Sequence, residues 1–259
     1  MTKEEFTEKL QNAASSFAEK MQEEDGAWSI KGFIDTHRDV YPISTDTKVI
    51  SKIVELHLLP LLVGFAHENG LELQLPKEQN FYPDLTFIDA SGNRFAVDIK
   101  SSYRKTTSTI NGMTLGSFTG YFRDVGSNKN VVYPYGSYIA HVVLGIIYSY
   151  SDLTLEEASG IRHLSELDDI KSVVHDLEFF VQEKWRIAVD CPGSGNTKNI
   201  GSVREINKLI NGSGPFAALG EDVFNDYWRH YLTREMARSV ELERPYYTCL
   251  AEYKRFKGI

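Results

Sequence analysis

The 259-residue sequence has few cysteines and no long apolar segment, and both shortages restrict the class of protein. Its only cysteines, Cys191 and Cys249, lack the spacing of a zinc site and are too few for a disulfide framework. The longest apolar run, residues 138–150, is too short to span a bilayer, and the first residues lack the basic-then-apolar order of a signal peptide. We therefore expect a soluble, cytoplasmic protein without a membrane partner.

The composition is that of a folded globular protein, because 42% of the residues are hydrophobic and 12% are aromatic. The sequence contains no internal repeat, low-complexity linker or coiled-coil heptad. One large domain or two small ones would fit this length, and the mixed order of predicted helices and strands favours a single α/β domain over residues 1–259. We expect a mixed central β-sheet flanked by helices. The acidic N-terminal region, about residues 1–45, would be a peripheral or dimerising element.

Local patterns predict the order of several elements. A capping box at the N-terminus begins a first helix, and a second helix begins near residue 46 and ends at Leu58, ahead of Pro60. The apolar stripe of the first helix consists of Phe6, Leu10, Ala13, Phe17 and Met21. The other predicted elements are a strand over residues 71–75, a buried helix over 138–150, a strand pair formed by 179–181 and 185–189, and a helix within 222–238.

Two runs of strand-forming residues, separated by a cluster of turn residues, predict a β-hairpin with charged side chains. Asp84 opens the first run, and the second run contains Asp98 and Lys100. Because side chains alternate between the two faces of a strand, Asp98 and Lys100 share a face. The hairpin returns them towards Asp84, so that two carboxylates and a lysine meet beside a backbone carbonyl.

This combination of groups suits Mg²⁺-dependent hydrolysis of a phosphodiester. Mg²⁺ is a hard octahedral ion that takes one or two carboxylates and leaves positions for water and a phosphate oxygen. It polarises the phosphoryl group and activates water. Lys100 would orient the attacking water or neutralise charge on the phosphate oxygens. The alternative is a strand pair that ends in a structural ion pair, and the short pattern alone favours that alternative.

The net charge of −8 argues against a DNA-binding protein, but the charges are unevenly distributed. Residues 1–35 contain four Lys/Arg and eight Asp/Glu, and residues 151–178 contain two and eight. In contrast, residues 94–134 contain six Lys/Arg and two Asp/Glu. This positive segment begins at the predicted metal hairpin, where a polyanion would bind. Ordinary scatter of surface charge is the alternative explanation.

A glycine-rich segment, residues 193–202, could contact the base edges of DNA or form a solvent-exposed hairpin loop. It lacks the Gly-Lys-Ser/Thr order of a P-loop and the third glycine of a dinucleotide fingerprint. The backbone at Gly193 and Gly195 can approach bases closely. Asn196 can form two hydrogen bonds with adenine, and the Thr197 methyl group can contact thymine. Composition alone favours the solvent-exposed loop.

Several long motifs are shared with a known family. They include Pro76-Lys-Glu-Gln-Asn-Phe-Tyr-Pro-Asp84, Val97-Asp-Ile-Lys100, Asn130-Val-Val-Tyr-Pro134 and Gly193-Ser-Gly-Asn-Thr197. On these motifs the chain resembles the EcoRV-like type II restriction endonucleases, a branch of the PD-(D/E)xK nuclease superfamily. The resemblance covers most of the chain and is poor in the first residues and from about 150 to 175.

The resemblance implies roles for individual residues. Asp84, Asp98, the Ile99 carbonyl and Glu55 would form the metal site, with Lys100 as the catalytic lysine. Without the resemblance, Glu55 would be interpreted as a surface residue of the second helix. The implied base-reading residues are Gly193, Ser194, Gly195, Asn196 and Thr197 in a major-groove loop, and Gln79 and Asn80 in a minor-groove loop. The implied contacts to the DNA backbone are Lys48, Ser101, Ser102, Lys129, Lys198 and Asn199.

The resemblance also implies a reaction and partners. The substrate would be double-stranded DNA, cut at the centre of GATATC to leave blunt ends with 5′-phosphates. Mg²⁺ would be the cofactor, Mn²⁺ a possible substitute, and Ca²⁺ would bind without efficient cleavage. A palindromic site calls for a two-fold symmetric homodimer. A prokaryotic enzyme of this kind works beside a cognate DNA methyltransferase, with which no direct contact is expected.

Two alternatives remain open from the sequence. One is a superfamily nuclease of repair or recombination that recognises DNA structure, and the other is a catalytically inactive DNA-binding homologue. Glu78, Phe81 and Lys198 differ from the residues of the family at these positions, so the target and the flanking preference stay open.

Overall fold

The computed structural model of the chain describes residues 1–193 and 198–259. The helices are α1 (Lys3–Met21), α2 (Thr47–Glu68), α3 (Leu155–Ser159), α4 (Lys184–Ile187), α5 (Ile206–Asn211), α6 (Glu221–His230), α7 (Arg234–Ser239) and α8 (Leu250–Lys257). The strands are β1 (Gly32–Ile34), β2 (Asp39–Pro42), β3 (Glu72–Gln74), β4 (Leu85–Ile88), β5 (Arg94–Thr106), β6 (Thr109–Ile110), β7 (Thr114–Ser117), β8 (Tyr138–Tyr150), β9 (Arg162–His163), β10 (Val174–Glu183), β11 (Ala188–Pro192) and β12 (Asn199–Ser202).

A mixed β-sheet forms the centre of the fold, with the strand order β10-β8-β5-β4-β3 and β6 paired to β5. Strands β5 and β8 are parallel, and the other neighbours are antiparallel. This arrangement confirms the predicted α/β class with a mixed central sheet flanked by helices. Two smaller sheets have the orders β1-β2-β9 and β11-β12-β7.

The predicted hairpin is formed by β4 and β5, and its turn is closed by the Asp89 carboxylate. Asp89 Oδ1 accepts hydrogen bonds from the backbone N–H groups of Ser91 at 2.8 Å and Asn93 at 2.9 Å. Gly92 has a φ of 81°, which glycine adopts without the strain that a side chain would cause. The turn chemistry in the sequence therefore fixes the register that brings the charged residues of β5 back towards Asp84.

Helices α1 and α2 cover one face of the central sheet. The predicted capping box of α1 is present, with Thr2 and Glu5 each bonded to the backbone of the other. The Phe6 ring is fully buried and stacks on Phe95 of β5, with ring centroids 4.3 Å apart. The predicted stripe is confirmed at four positions; at the fifth, Ala14 is buried and Ala13 is only half-buried.

Two glutamine side chains attach α1 to the outer edge of β10. Gln11 Oε1 accepts a hydrogen bond from the Val181 N–H at 2.7 Å. Gln22 Oε1 accepts one from the Leu177 N–H, also at 2.7 Å. These N–H groups point away from β8, so α1 binds the backbone of the outermost strand as well as the face of the sheet.

The opposite face of the sheet packs against a second core that is rich in aromatic residues. Helices α5 and α6 and strand β12 contribute to this core, and Trp228 of α6 is fully buried in it. Strand β8 supplies residues to both cores: Val142, Leu144 and Ile146 face α1 and α2, and Val143 and Ile147 face the aromatic core.

Three predictions about local structure are wrong. Residues 138–150 form strand β8 and not a helix, because a central strand that is buried on both faces has a continuous apolar sequence. Helix α2 continues through Pro60 to Glu68. Residues 179–181 belong to β10, but 185–189 form most of α4 and the start of β11, and β10 and β11 pair with other strands.

Helix α2 is long and apolar enough, by length and composition alone, to cross a membrane. The core helix of a soluble protein passes the same test. Four of its apolar side chains are fully buried against the central sheet and α1, and this accounts for its composition: Ile50, Val54, Leu58 and Leu62.

Candidate active site

The charged side chains of the hairpin meet at its open end. Asp84 lies directly before β4, and Asp98 and Lys100 lie on β5. Lys100 Nζ is 3.3 Å from Asp84 Oδ2 and 3.4 Å from Asp98 Oδ2. It also donates to the Ile99 carbonyl at 3.2 Å, and the Ile99 N–H donates to Asp84 Oδ2 at 2.8 Å. The structure therefore brings together two carboxylates, a carbonyl and an ammonium group, as strand alternation predicts.

Burial and mutual charge control the protonation of this group. Burial raises the pKa of Asp84 above its ordinary value; the Lys100 charge opposes this shift, and the Asp98 charge adds to it. Burial disfavours the Lys100 ammonium, but the charges of Asp98 and Asp84 outweigh burial and hold the pKa of Lys100 above its ordinary value. Lys100 is therefore a cation at neutral pH, and it offsets the repulsion between the two carboxylates.

The oxygen atoms around Lys100 fit a divalent cation. Asp84 Oδ2, Asp98 Oδ2 and the Ile99 carbonyl oxygen all lie within 3.4 Å of one cationic nitrogen. Carboxylate and carbonyl oxygens are also the ligands of hard cations such as Mg²⁺. Across residues 1–193 and 198–259, no group of three His, Cys, Asp or Glu side chains is close enough to hold a metal ion. A cation here would therefore need the carbonyl and external ligands, such as water or a phosphate oxygen.

A cleft of about 760 Å³ extends from Asp84 to helix α2 and contains Glu55 in its wall. The Glu55 carboxylate pairs with Lys52 at 2.8 Å. Its negative charge acts on Asp84 and contributes to the raised pKa of that carboxyl group. Glu55 therefore borders the site, while its direct partner in this structure is Lys52. The cleft wall also includes the following predicted DNA contacts: Lys48, Gln79, Ser101 and Ser102.

The chain has clear sequence relatives. The family model for restriction endonuclease EcoRV matches residues 24–258. The type II restriction enzyme EcoRV of Escherichia coli is 34% identical over 245 residues, which cover 93% of this chain and 96% of that protein. The chain belongs to the EcoRV family of restriction endonucleases. Among solved structures, the NlaIV restriction endonuclease matches with a TM-score of 0.40 and 11% identity, over 94% of this chain and 96% of that chain.

Membership of the EcoRV family makes the protein a DNA nuclease of the type II restriction endonuclease class, as the sequence motifs predict. EcoRV-like enzymes generally depend on a divalent metal ion. This general dependence agrees with the oxygen donors that converge on Lys100.

The predicted contacts to the DNA backbone differ in their surroundings. Ser101 Oγ is 2.7 Å from Ser51 Oγ of α2, at the wall of the cleft. Ser102 is mostly buried, and its hydroxyl donates to the Gly112 carbonyl at 3.4 Å. Lys48 lies in the exposed first turn of α2. Lys129 occupies an exposed position on a loop, as does Asn80, which was predicted to read base edges in the minor groove.

The predicted major-groove segment lies between β11 and β12. Ser194, Gly195, Asn196 and Thr197 are outside the described residues, so their predicted roles remain predictions. Gly193 is described, and its N–H donates to the Asn199 carbonyl at 2.8 Å. A Cβ atom at position 193 would come within 2.9 Å of Thr114 Cγ2, so a larger residue here would force the Thr114 side chain of β7 to shift. The Lys198 carbonyl accepts a hydrogen bond from the Phe118 N–H at 3.0 Å.

Two polar residues near the β4–β5 hairpin, Lys184 and His141, were not assigned to the site from sequence. Lys184, the first residue of α4, is only 2% exposed. Burial lowers its pKa to about 8, against the opposing charge of Asp98. His141 lies on β8, where its Nδ1 is 2.7 Å from the Tyr82 hydroxyl, and burial lowers its pKa well below the ordinary value. This contact gives the His141 side chain a hydrogen-bond partner within the fold.

Proposed function

We propose that the protein is a homodimeric, Mg²⁺-dependent endonuclease that cleaves double-stranded DNA at GATATC. The cut would fall at the centre of the site and leave blunt ends with 5′-phosphates. The convergence of Asp84, Asp98 and Lys100 in a member of a restriction endonuclease family supports this proposal most strongly. Bound Mg²⁺ would supply Lewis-acid activation of water and of the phosphate. Mn²⁺ would substitute for it, and Ca²⁺, with its looser geometry, would bind without efficient cleavage.

The residues of the proposed site would have separate roles in metal binding and catalysis. Asp84, Asp98 and the Ile99 carbonyl would hold the cation, since their oxygens already surround a cationic nitrogen. Lys100 would direct its N–H donors to the attacking water or to a phosphate oxygen and would neutralise charge there. Glu55 would act beside the site, because its charge reaches Asp84.

The DNA would lie along the cleft between α2 and the hairpin. The excess of positive charge in residues 94–134 supports this orientation. Contacts to the phosphates would come from Lys48, Ser101, Ser102, Lys129, Lys198 and Asn199. Base edges would be read by Gly193, Ser194, Gly195, Asn196 and Thr197 in the major groove and by Gln79 and Asn80 in the minor groove. The proposed GATATC target rests on the motif that these residues share with the family.

A row of exposed apolar side chains supports the proposed dimer. Phe33 of β1 pairs with Tyr41 of β2, and Ile161 directly precedes β9, which pairs with β2. These side chains are 53%, 41% and 55% exposed, respectively. Large exposed apolar patches mark interaction surfaces, and two of the three residues lie in the region 1–45 that the sequence assigned to dimerisation.

Sedimentation velocity tests the dimer. The wild-type protein should sediment as a dimer, and Phe33→Ser should shift the population towards monomer. Val63→Ser is a matched control, because Val63 is 52% exposed on α2 and does not belong to the sheet β1-β2-β9. A dimeric Phe33→Ser variant, or a monomeric wild-type protein, would contradict this arrangement.

Plasmid digestion tests the activity and the target together. The purified protein with Mg²⁺ should linearise a plasmid with one GATATC site and leave a plasmid without the site intact. Asp98→Ala and Lys100→Ala should each abolish cleavage and remain folded by circular dichroism. Cleavage at another sequence would overturn the target, and cleavage by either variant would overturn its catalytic role.

The same digestion tests whether the protein acts together with a DNA methyltransferase. A blunt cut at GATATC should be blocked when the plasmid is methylated within that site, as expected of a cytoplasmic prokaryotic enzyme with a partner methyltransferase. Cleavage of methylated and unmethylated sites at equal rates would argue against that setting.

A further inference from the structure

Lys184 follows the end of β10 and points into the aromatic core on the same side of the sheet as Asp98. Phe180 of β10 and Ala96 of β5 both belong to this core. Because side chains alternate along a strand, Asp98 shares the face of Ala96. Lys184 is the first residue of α4, and its Nζ lies among the rings of Tyr82, Phe122 and Tyr135 of the same core. The buried lysine and the buried carboxylate therefore lie on the same side of the sheet.

The Lys184 ammonium is buried among aromatic rings. Its Nζ lies 5.3 Å from the ring centroid of Tyr82, 5.4 Å from that of Phe122 and 5.5 Å from that of Tyr135. It also lies 3.4 Å from the position that a Cβ atom would occupy at Gly116. Within residues 1–193 and 198–259, this nitrogen has no hydrogen-bond partner. A buried, unpartnered ammonium is costly, so a nearby negative charge must offset it.

Asp98 is the carboxylate whose charge acts on Lys184, and it favours the charged form of the lysine. Asp98 is itself 6% exposed, with Lys100 at 3.4 Å on the side of the proposed cation. Lys100 contacts Asp98, whereas Lys184 lies on the same side of the sheet and forms no ion pair with Asp98. Lys184 acts on it through the aromatic shell, where water provides little screening.

We propose that Lys184 is a positioning residue that lowers the affinity of the site for a divalent cation. Its positive charge, in the aromatic core, offsets part of the negative charge of Asp98. The inference rests on the proposed cation site. Together with Lys100, Lys184 balances the charges of Asp84 and Asp98 before any cation binds. The protein alone would then hold a cation weakly, and the negative phosphates of bound DNA would restore the attraction.

Direct titration with Mn²⁺, followed by electron paramagnetic resonance of the free ion, tests this role without any cleavage. The DNA-free protein should bind Mn²⁺ about fivefold or more tightly after Lys184→Met, which removes the charge and keeps an apolar chain of similar length. Lys184→Gln is a second neutral variant in case methionine packs poorly. Lys184→Arg retains the charge and should keep the affinity of the wild-type protein.

Phe122→Leu is the matched packing control, because it alters the same aromatic shell without changing charge. It should lower the melting temperature and leave Mn²⁺ affinity unchanged. Equal or weaker Mn²⁺ binding by folded Lys184→Met and Lys184→Gln would overturn the proposal, and so would equal tightening in Phe122→Leu.

Asp98→Ala separates this inference from the proposed function. Loss of Mn²⁺ binding in Asp98→Ala, with no effect of the Lys184 variants, would refute the role of Lys184 alone. Wild-type Mn²⁺ binding that survives Asp98→Ala unchanged would refute the metal site itself, and the role of Lys184 with it.

Discussion

Replacing Lys100 by methionine should destabilise the metal-free protein, because Lys100 joins two carboxylates that otherwise repel each other. At an effective dielectric constant of about 20, each contact of 3.3–3.4 Å represents about 5 kcal/mol of attraction before desolvation is subtracted. Removing one partner of a buried ion pair costs about 3–5 kcal/mol. Since the Asp84 side chain is 37% exposed and partly screened, we expect the lower end, about 3 kcal/mol.

Thermal unfolding followed by circular dichroism, at neutral pH with EDTA, measures this loss. For a domain of this size, about 3 kcal/mol corresponds to a melting temperature about 6–12 °C lower. Lys52→Met is the matched control, because Lys52 forms a single, more exposed pair with Glu55 and should cost less than about 1 kcal/mol. Adding Asp84→Asn to Lys100→Met should recover part of the loss, since it removes one of the two repelling charges.

The reasoning fails if Lys100→Met melts no lower than Lys52→Met. It also fails if Asp84→Asn and Lys100→Met act additively, because the structure couples them through one contact.

Three further predictions concern packing, protonation and backbone conformation. Phe6→Ala should lower the free energy of unfolding by about 3–5 kcal/mol in denaturant titrations, because the ring is fully buried against Phe95; a loss below about 1 kcal/mol would contradict this packing. The pKa of Asp84 is raised in the folded state, so its contribution to stability is present at acid pH and is lost as pH rises through the folded pKa. Asp84→Asn should therefore be more stable than the wild-type protein at neutral pH, and melting curves should converge below about pH 4; a constant difference across pH would contradict the shift. Gly116→Ala should cost about 1–3 kcal/mol, because φ is 85°, a backbone conformation that a residue with a side chain adopts only with strain; an unchanged melting temperature would refute this.

The β4–β5 hairpin could be predicted from sequence because every step in its geometry is local. The turn residues around Gly92 fix the register, and strand alternation then brings Asp98 and Lys100 to one face. The same holds for α1, where the capping box and the apolar stripe are both encoded within one helix. The assignment of Glu55 to the site came only from family resemblance, because helical periodicity describes it equally well as a surface residue.

Features that depend on distant parts of the chain could not be predicted in this way. Residues 138–150 show no strand alternation, because both faces of β8 are buried by elements far away in sequence. Pro60 is tolerated inside α2, whose apolar face is held by the sheet and α1. Lys184 lies in a polar stretch of sequence, and its burial results from aromatic residues near positions 82, 122 and 135.

The hydrogen bonds that Gln11 of α1 and Gln22, the residue after α1, accept from β10 affect the behaviour of the protein in solution. An outermost strand with free N–H groups is a template on which a strand of another molecule can add. Here two of these donors on β10, at Val181 and Leu177, are already bonded within the chain. Helix α1 therefore also protects the enzyme against edge-to-edge aggregation, a role separate from its contribution to the core.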